Sequence, residues 1–131
     1  MTHVIDQDFG QDWAVYNGDC VEVVQGLPDC SVDFSIYSPP FASLYTYSAS
    51  TRDMGNCQDT DDFYKHFVFL VKELYRTLKP GRLMSVHCMN LPASKTHDGY
   101  IGLKDFRGEL IRMFVECGFI YHSEVCIFKD P

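Results

Sequence analysis

Two short polar stretches stand directly behind apolar runs and could carry chemistry. Gly18-Asp19-Cys20 follows the run from Trp13 to Tyr16, and Ser38-Pro39-Pro40-Phe41 follows the run from Val32 to Tyr37. The second stretch sets a hydroxyl, two prolines and an aromatic ring side by side. Proline gives no N–H to a sheet and fixes its own φ, so this stretch is a loop, and the residue before each proline is held extended. Other chemically capable residues carry weaker signals. Six cysteines (Cys20, Cys30, Cys57, Cys88, Cys117 and Cys126) include no CxxC pair and none at zinc-ligand spacing from a histidine. That spacing points to free thiols in a reduced compartment, several of them small buried hydrophobes. His87 closes an apolar run; it either faces a pocket or makes a local hydrogen bond. Tyr45 and Tyr47 either line a pocket or cover the edge of a core. Gly99-Tyr100-Ile101-Gly102 follows no expected strand and opens no helix, so it lacks the setting of a phosphate-binding or cofactor-binding turn.

The elements that must position these residues alternate between strand-like and helix-like patterns. Trp13 to Tyr16 reads as a strand stopped by Asn17-Gly18-Asp19, and Val21 to Leu27 as a short helix with Val21 and Val24 on one face. Val32 to Tyr37 is β-branched and aromatic, a second strand. Ala42 to Asn56 is polar and aperiodic, a loop. Asp61 to Leu78 is the clearest helix, with Phe63, Phe67, Leu70, Val71, Leu74 and Leu78 at helical spacing. Asp59, Asp61 and Asp62 crowd its positive end, Thr60 is the expected cap, and Lys79-Pro80-Gly81 ends it. Leu83 to Cys88 reads as a third strand and Asn90 to Gly102 as a second long loop. Phe106 to Cys117 reads as a helix with Leu110, Ile111, Phe114 and Val115 on its apolar side and Gly118 as its stop. Phe119 to Phe128 reads as a last strand. Alternating strands and helices imply an α/β three-layer sheet, whose ligand site lies past the carboxyl ends of its strands. Both polar stretches stand at such ends.

Size and charge bound the possibilities. At 131 residues the chain suits a single domain, 1–131, and 46% hydrophobic content with 15% aromatics is enough for a packed core. No apolar run approaches the roughly 20 residues of a membrane helix. The first residues hold no secretory pattern, so the expected location is the cytoplasm. The net charge of −7 argues against a phosphate-gripping face within the chain.

The segment from Asn17 to Phe41 (NGDCVEVVQGLPDCSVDFSIYSPPF) resembles the S-adenosylmethionine-dependent DNA amino-methyltransferases. Their hallmark is an Asp, Asn or Ser followed by Pro-Pro and an aromatic residue, directly after a hydrophobic strand. Leu78 to Pro92 and Ile127 to Pro131 also resemble this family, closest to its phage-encoded members. The resemblance implies a partial Rossmann-like three-layer methyltransferase sheet and transfer of a methyl group to an exocyclic amine of a flipped-out DNA base. Cytosine N4 is favoured by Ser38 in place of Asp, with adenine N6 as the alternative, and a restriction-modification or phage setting is implied. Ser38 and the Pro39 carbonyl would accept the amine N–H groups, Pro40 would stiffen the loop, and Phe41 would stack on the base. Asp19, with Cys20 beside it, would bind the cofactor, the carboxylate accepting from its adenine amino group. Alternatively, Asp19 only caps the helix that starts at Val21.

The sequence departs from the family in one respect. It has no Phe-x-Gly-x-Gly turn, which in these enzymes holds the methionine part of the cofactor. Members with the catalytic motif first carry the recognition region and then the glycine-rich motif afterwards. The chain is therefore expected to be the N-terminal portion of such an enzyme, lacking the strands that carry the glycine-rich turn and inactive alone. Its partners would be DNA and either a C-terminal half or a second copy. Exposed sheet edges and marginal stability are expected. Three other readings stay open: a truncated non-catalytic phage or prophage remnant, and an RNA or a protein amide as the methyl acceptor.

Overall fold

The computed structural model describes residues 4–41, 54 and 60–130, with the side chain of Thr60 left out. The expected loop from Ala42 to Asn56, except Met54, lies outside the described residues, together with Tyr45, Tyr47, Cys57, Asp59 and the capping hydroxyl of Thr60.

The centre of the fold is a parallel strand–helix–strand unit. β3 (Ser35–Tyr37) pairs in parallel with β4 (Met84–Val86), in the register Ser35 with Met84, Ile36 with Ser85 and Tyr37 with Val86. Parallel neighbours need a long crossover, here containing α2 (Thr60–Thr77). The helix forms where the apolar spacing predicts it. Phe63, Phe67, Leu70 and Val71 are buried, and Asp61 and Asp62 sit in its positive first turn. α4 (Phe106–Glu116) lies against the same core with Phe106, Leu110 and Phe114 buried. Its inner side takes in Met113 and Cys117 rather than Val115, which is half exposed. Aromatic rings make up much of the core: Phe63 stacks on Phe67 at 5.2 Å, and Phe67 meets Phe114 edge-on at 6.0 Å.

Arg76 ties this unit to the segment before it. The Arg76 guanidinium donates to the carbonyls of Val24 (3.1 Å), Gln25 (3.4 Å) and Leu27 (2.8 Å), and to the carboxylates of Asp29 (2.6 Å) and Glu73 (2.8 Å). The carbonyls belong to the last turn of α1 (Cys20–Gln25) and the residues just after it, so one planar fork satisfies the groups a helix end leaves open. Val21 and Val24 pack inward as expected.

The larger differences from the sequence reading fall in four places, and the third strand also shortens, from Leu83–Cys88 to β4. The first strand, β2 (Ala14–Gly18), begins one residue later and runs through Asn17 and Gly18, because an unanticipated strand, β1 (Val4–Phe9), pairs with it in antiparallel fashion. The second strand shrinks to three residues, with Val32 keeping a single parallel bridge to Leu78. The expected loop from Asn90 to Gly102 holds β5 (Leu91–Ala93), α3 (Lys95–Asp98) and the start of β6 (Gly102–Lys104), with β5 and β6 antiparallel. Ser94 caps α3 through His97 N and Gly99 closes it at φ +80°; elements this short leave no periodicity to read. No strand forms over Phe119 to Phe128, since these residues meet no partner strand among the described residues. A hydrophobic run becomes a strand only beside another one.

The described strands form three separate two-stranded sheets, and β2 is not bonded to β3. One face of the β3–β4 pair is covered: Tyr37, Met84 and Val86 pack on the aromatic core. On the other face Ile36 is 71% exposed. Of the three expected layers, the described residues build a two-stranded parallel part of the sheet, β3–β4, and one helical layer on its covered face. Among them, no helix is long and apolar enough to cross a membrane.

Candidate functional site

Ser38 stands one residue beyond the carboxyl end of β3, and His87 one residue beyond that of β4. The parallel ladder continues past the strands, with His87 N donating to the Tyr37 carbonyl at 3.0 Å. Ser38 and His87 are therefore adjacent. Ser38 Oγ lies 3.1 Å from the His87 carbonyl oxygen and 3.4 Å from His87 Nδ1. Both residues are exposed, while Pro39 behind them is buried and Pro40 half-buried. The proline pair thus anchors the loop and leaves the hydroxyl on the surface.

Phe41 is part-buried and leans on the core, edge-on to Phe106 at 6.3 Å, with the His87 ring 6.4 Å away. The motif residues and His87 form one contiguous patch: a hydroxyl, a stiffened carbonyl, an imidazole and an aromatic ring. Sequence reasoning left His87 between a pocket role and a local hydrogen bond. The strand register is what joins it to Ser38, and no residue pattern encodes that register.

Asp19 takes up the capping role. Its Oδ1 accepts from Val21 N at 2.9 Å, and its backbone carbonyl accepts from Val23 N at 3.0 Å. It stands at the carboxyl end of β2, as the sequence places it. Cys20, the first residue of α1, is exposed as a residue, and its thiol is pushed up, by desolvation first and then by the Asp19 charge. A thiol held protonated is a poor nucleophile. Tyr37 lies between the two stretches. Its buried hydroxyl has no hydrogen-bond partner among the described residues. Its phenol is pushed well up, by burial first and then by the nearby Cys20 and Cys88 thiols.

A concavity of about 320 Å³ lies elsewhere, lined by Asp61, Tyr64, Leu91, Lys104, Asp105, Phe106 and Glu109. Among the described residues, its lining includes none of the expected site residues and a single cation, Lys104. Among the described residues, no group of three or more His, Cys, Asp or Glu side chains is arranged to hold a metal ion.

No family model matches the chain. In sequence it is similar to the Type II methyltransferase M.SfiI of Streptomyces fimbriatus, 32% identical over 69 residues, which are 53% of this chain and 16% of that protein. It is also similar to the Type II methyltransferase M.BamHI of Bacillus amyloliquefaciens, 31% identical over 83 residues, 63% of this chain and 18% of that one. In structure it resembles TTHA0409 of Thermus thermophilus, assigned as a DNA modification methylase and solved complexed with S-adenosyl-L-methionine. That match has a TM-score of 0.63 at 19% identity and covers 86% of this chain and 47% of that one. The chain thus spans less than a fifth of the length of the two sequence relatives and about half of the structural one. The chain is similar in sequence to a part of two Type II methyltransferases and shares its fold with about half of a DNA modification methylase.

Proposed function

We propose that this chain carries the amine-binding motif of a DNA methyltransferase that uses S-adenosylmethionine, with cytosine N4 as the favoured acceptor and adenine N6 as the alternative. The observation that supports this best is the position of Ser38-Pro39-Pro40-Phe41: it leaves the carboxyl end of a parallel strand in a fold shared with a DNA methylase. An exocyclic base amine is a poor nucleophile because its lone pair is spread into the ring. Acceptors on its N–H groups favour the pyramidal nitrogen and the positive charge that grows there. The exposed Ser38 hydroxyl and the carbonyl of buried Pro39 are suitable acceptors, and Phe41 offers a stacking face once it swings from the core. The base must leave the duplex to reach them.

The fit to the cofactor is partial. S-adenosylmethionine, when bound, supplies the electrophilic methyl group. Asp19 offers a carboxylate at a strand end, already engaged as a cap, and Cys20 lies beside it. The sequence contains no Phe-x-Gly-x-Gly turn. We therefore place the rest of the cofactor site, and the basic surface that an acidic chain lacks, on further methyltransferase polypeptide packed over the open face at Ile36. A second copy of this chain is the alternative occupant.

Incubating the protein that carries this chain with tritiated S-adenosylmethionine and a panel of DNA, RNA and protein tests the reading. Label in DNA that digests to N4-methylcytosine is expected. N6-methyladenine corrects the base, label in RNA or protein only overturns the DNA assignment, and no label at all favours a non-catalytic remnant. Ser38→Ala should lower kcat by about a hundredfold or more, the scale for losing one stabilising contact at a developing charge, and Phe41→Ala should lower kcat/KM by about 10- to 100-fold, the scale for losing a ring stacked on the base. Unchanged turnover in either would sink the assigned roles.

A further inference from the structure

The geometry points to His87 as the residue that fixes the hydroxyl of Ser38 as an acceptor; this rests on the function proposed above. A serine hydroxyl carries one proton and two lone pairs, and its proton rotates freely unless something takes it. For Ser38 to accept an amine N–H, its own proton must point away from the substrate. A proton pointing toward the amine would compete for the nitrogen lone pair that must react.

His87 offers two acceptors on the β4 side of the hydroxyl, its backbone carbonyl at 3.1 Å and Nδ1 at 3.4 Å. The carbonyl is an acceptor whatever residue stands at position 87. The imidazole adds a more basic acceptor whenever its proton sits on Nε2. In a chain running from amine N–H to Oγ–H to Nδ1, each hydrogen bond polarises the next, so the imidazole strengthens Ser38 as charge grows on the amine. The contacts are long in the free protein, as hydrogen bonds at reacting groups commonly are before substrate closes the site. The strand register holds the two residues together: Tyr37 faces Val86, and His87 N binds the Tyr37 carbonyl at 3.0 Å. The His87 ring also lies beside Phe41, so one side chain touches both ends of the motif. His87 is thus a positioning residue that acts through Ser38.

Two measurements test this. Long-range proton–nitrogen NMR spectra of the full 131-residue chain, with His87 identified by the signals lost in His87→Asn, report which ring nitrogen holds the proton. The expected result is a proton on Nε2 and a hydrogen-bonded Nδ1 whose resonance moves in Ser38→Ala. A proton on Nδ1, or no movement on losing Ser38, overturns the proposal. In the methyl-transferring protein, His87→Ala should lower kcat about 10- to 100-fold with KM little changed, the scale seen for residues that orient a metal ligand. His87→Asn should restore most of the loss, because Asn Oδ1 stands where Nδ1 stood. In a Ser38→Ala background, His87→Ala should add nothing further. Equal losses in the Ala and Asn variants, or additive losses with Ser38→Ala, would mean a merely structural role. A wild type that methylates nothing would instead overturn the parent reading, and the spectra would still decide this one.

Discussion

The aromatic core and the strands that flank it are built from similar residues and meet opposite fates. In the core, Phe63, Phe67 and Val71 are fully buried against one another and against Phe106 and Phe114. In the β1–β2 hairpin Ile5 is 81% exposed, and along the final segment Val125 and Phe128 are 87% and 88% exposed. The difference shows that only part of the apolar pattern is satisfied by the strand–helix–strand unit, while much of the rest faces outward where it gains nothing from burial. Phe67→Ala is the strongest way to break the satisfied part. It removes a ring stacked on Phe63 and touching Tyr37 and Phe114, and should cost about 3–5 kcal/mol in urea unfolding. A cost under about 1 kcal/mol would mean this core does not set stability.

The joint between the core and the final segment comes next in size. Gly118 ends α4 at φ +114°, and a Cβ there would stand 2.7 Å from the Tyr75 ring. Tyr75 is half exposed, so its ring can yield, but the backbone conformation remains closed to other residues. Gly118→Ala should therefore cost about 1–3 kcal/mol, read from the same unfolding curves. An unchanged midpoint would show that the turn into the final segment is free to rearrange.

How much of this was legible in sequence follows from the range of the forces involved. α2 could be read because eighteen residues repeat one apolar spacing. α4 was legible for the same reason, although its inner side turned from Val115 toward Met113 and Cys117, since packing against α2 decides which residues at the margin face inward. β1 was missed because Val4-Ile5-Asp6-Gln7-Asp8-Phe9 has no clear alternation and is held only by β2. Phe119 to Phe128 was misread in the opposite direction, for it has strand-like residues and no partner strand among the described residues. The site divides in the same way. Ser38-Pro39-Pro40-Phe41 announces itself by residue type, whereas the role of His87 exists only through a register set forty-nine residues away.

Asp19 offers a smaller test that separates stability from binding. Asp19→Ala loses the bond to Val21 N and should cost about 0.5–2 kcal/mol, the usual range for a lost cap. Asp19→Asn keeps an equally good cap while removing the charge, so its midpoint should stay within about 0.5 kcal/mol of wild type. If the carboxylate also receives the cofactor, Asp19→Asn should still weaken S-adenosylmethionine binding by calorimetry in the methyl-transferring protein. Equal affinity would leave Asp19 a cap alone.

The smallest effect is expected where the comparison is sharpest, at Ile36, which shares a three-residue strand with Tyr37 and faces the opposite way. Tyr37 meets Phe67 at 6.5 Å; Ile36 is left 71% exposed. Ile36→Thr keeps a β-branched residue in the strand and removes only apolar surface, so the isolated chain should change by no more than about 0.5 kcal/mol. If the chain pairs with a second copy through this face, the same substitution should cost more, and the wild-type midpoint should rise with protein concentration while the variant's does not, because association stabilises by mass action. A small effect with no concentration dependence leaves the face open for other polypeptide. In that case adding the remainder of a methyltransferase sheet should make Ile36→Thr costly where it was neutral before.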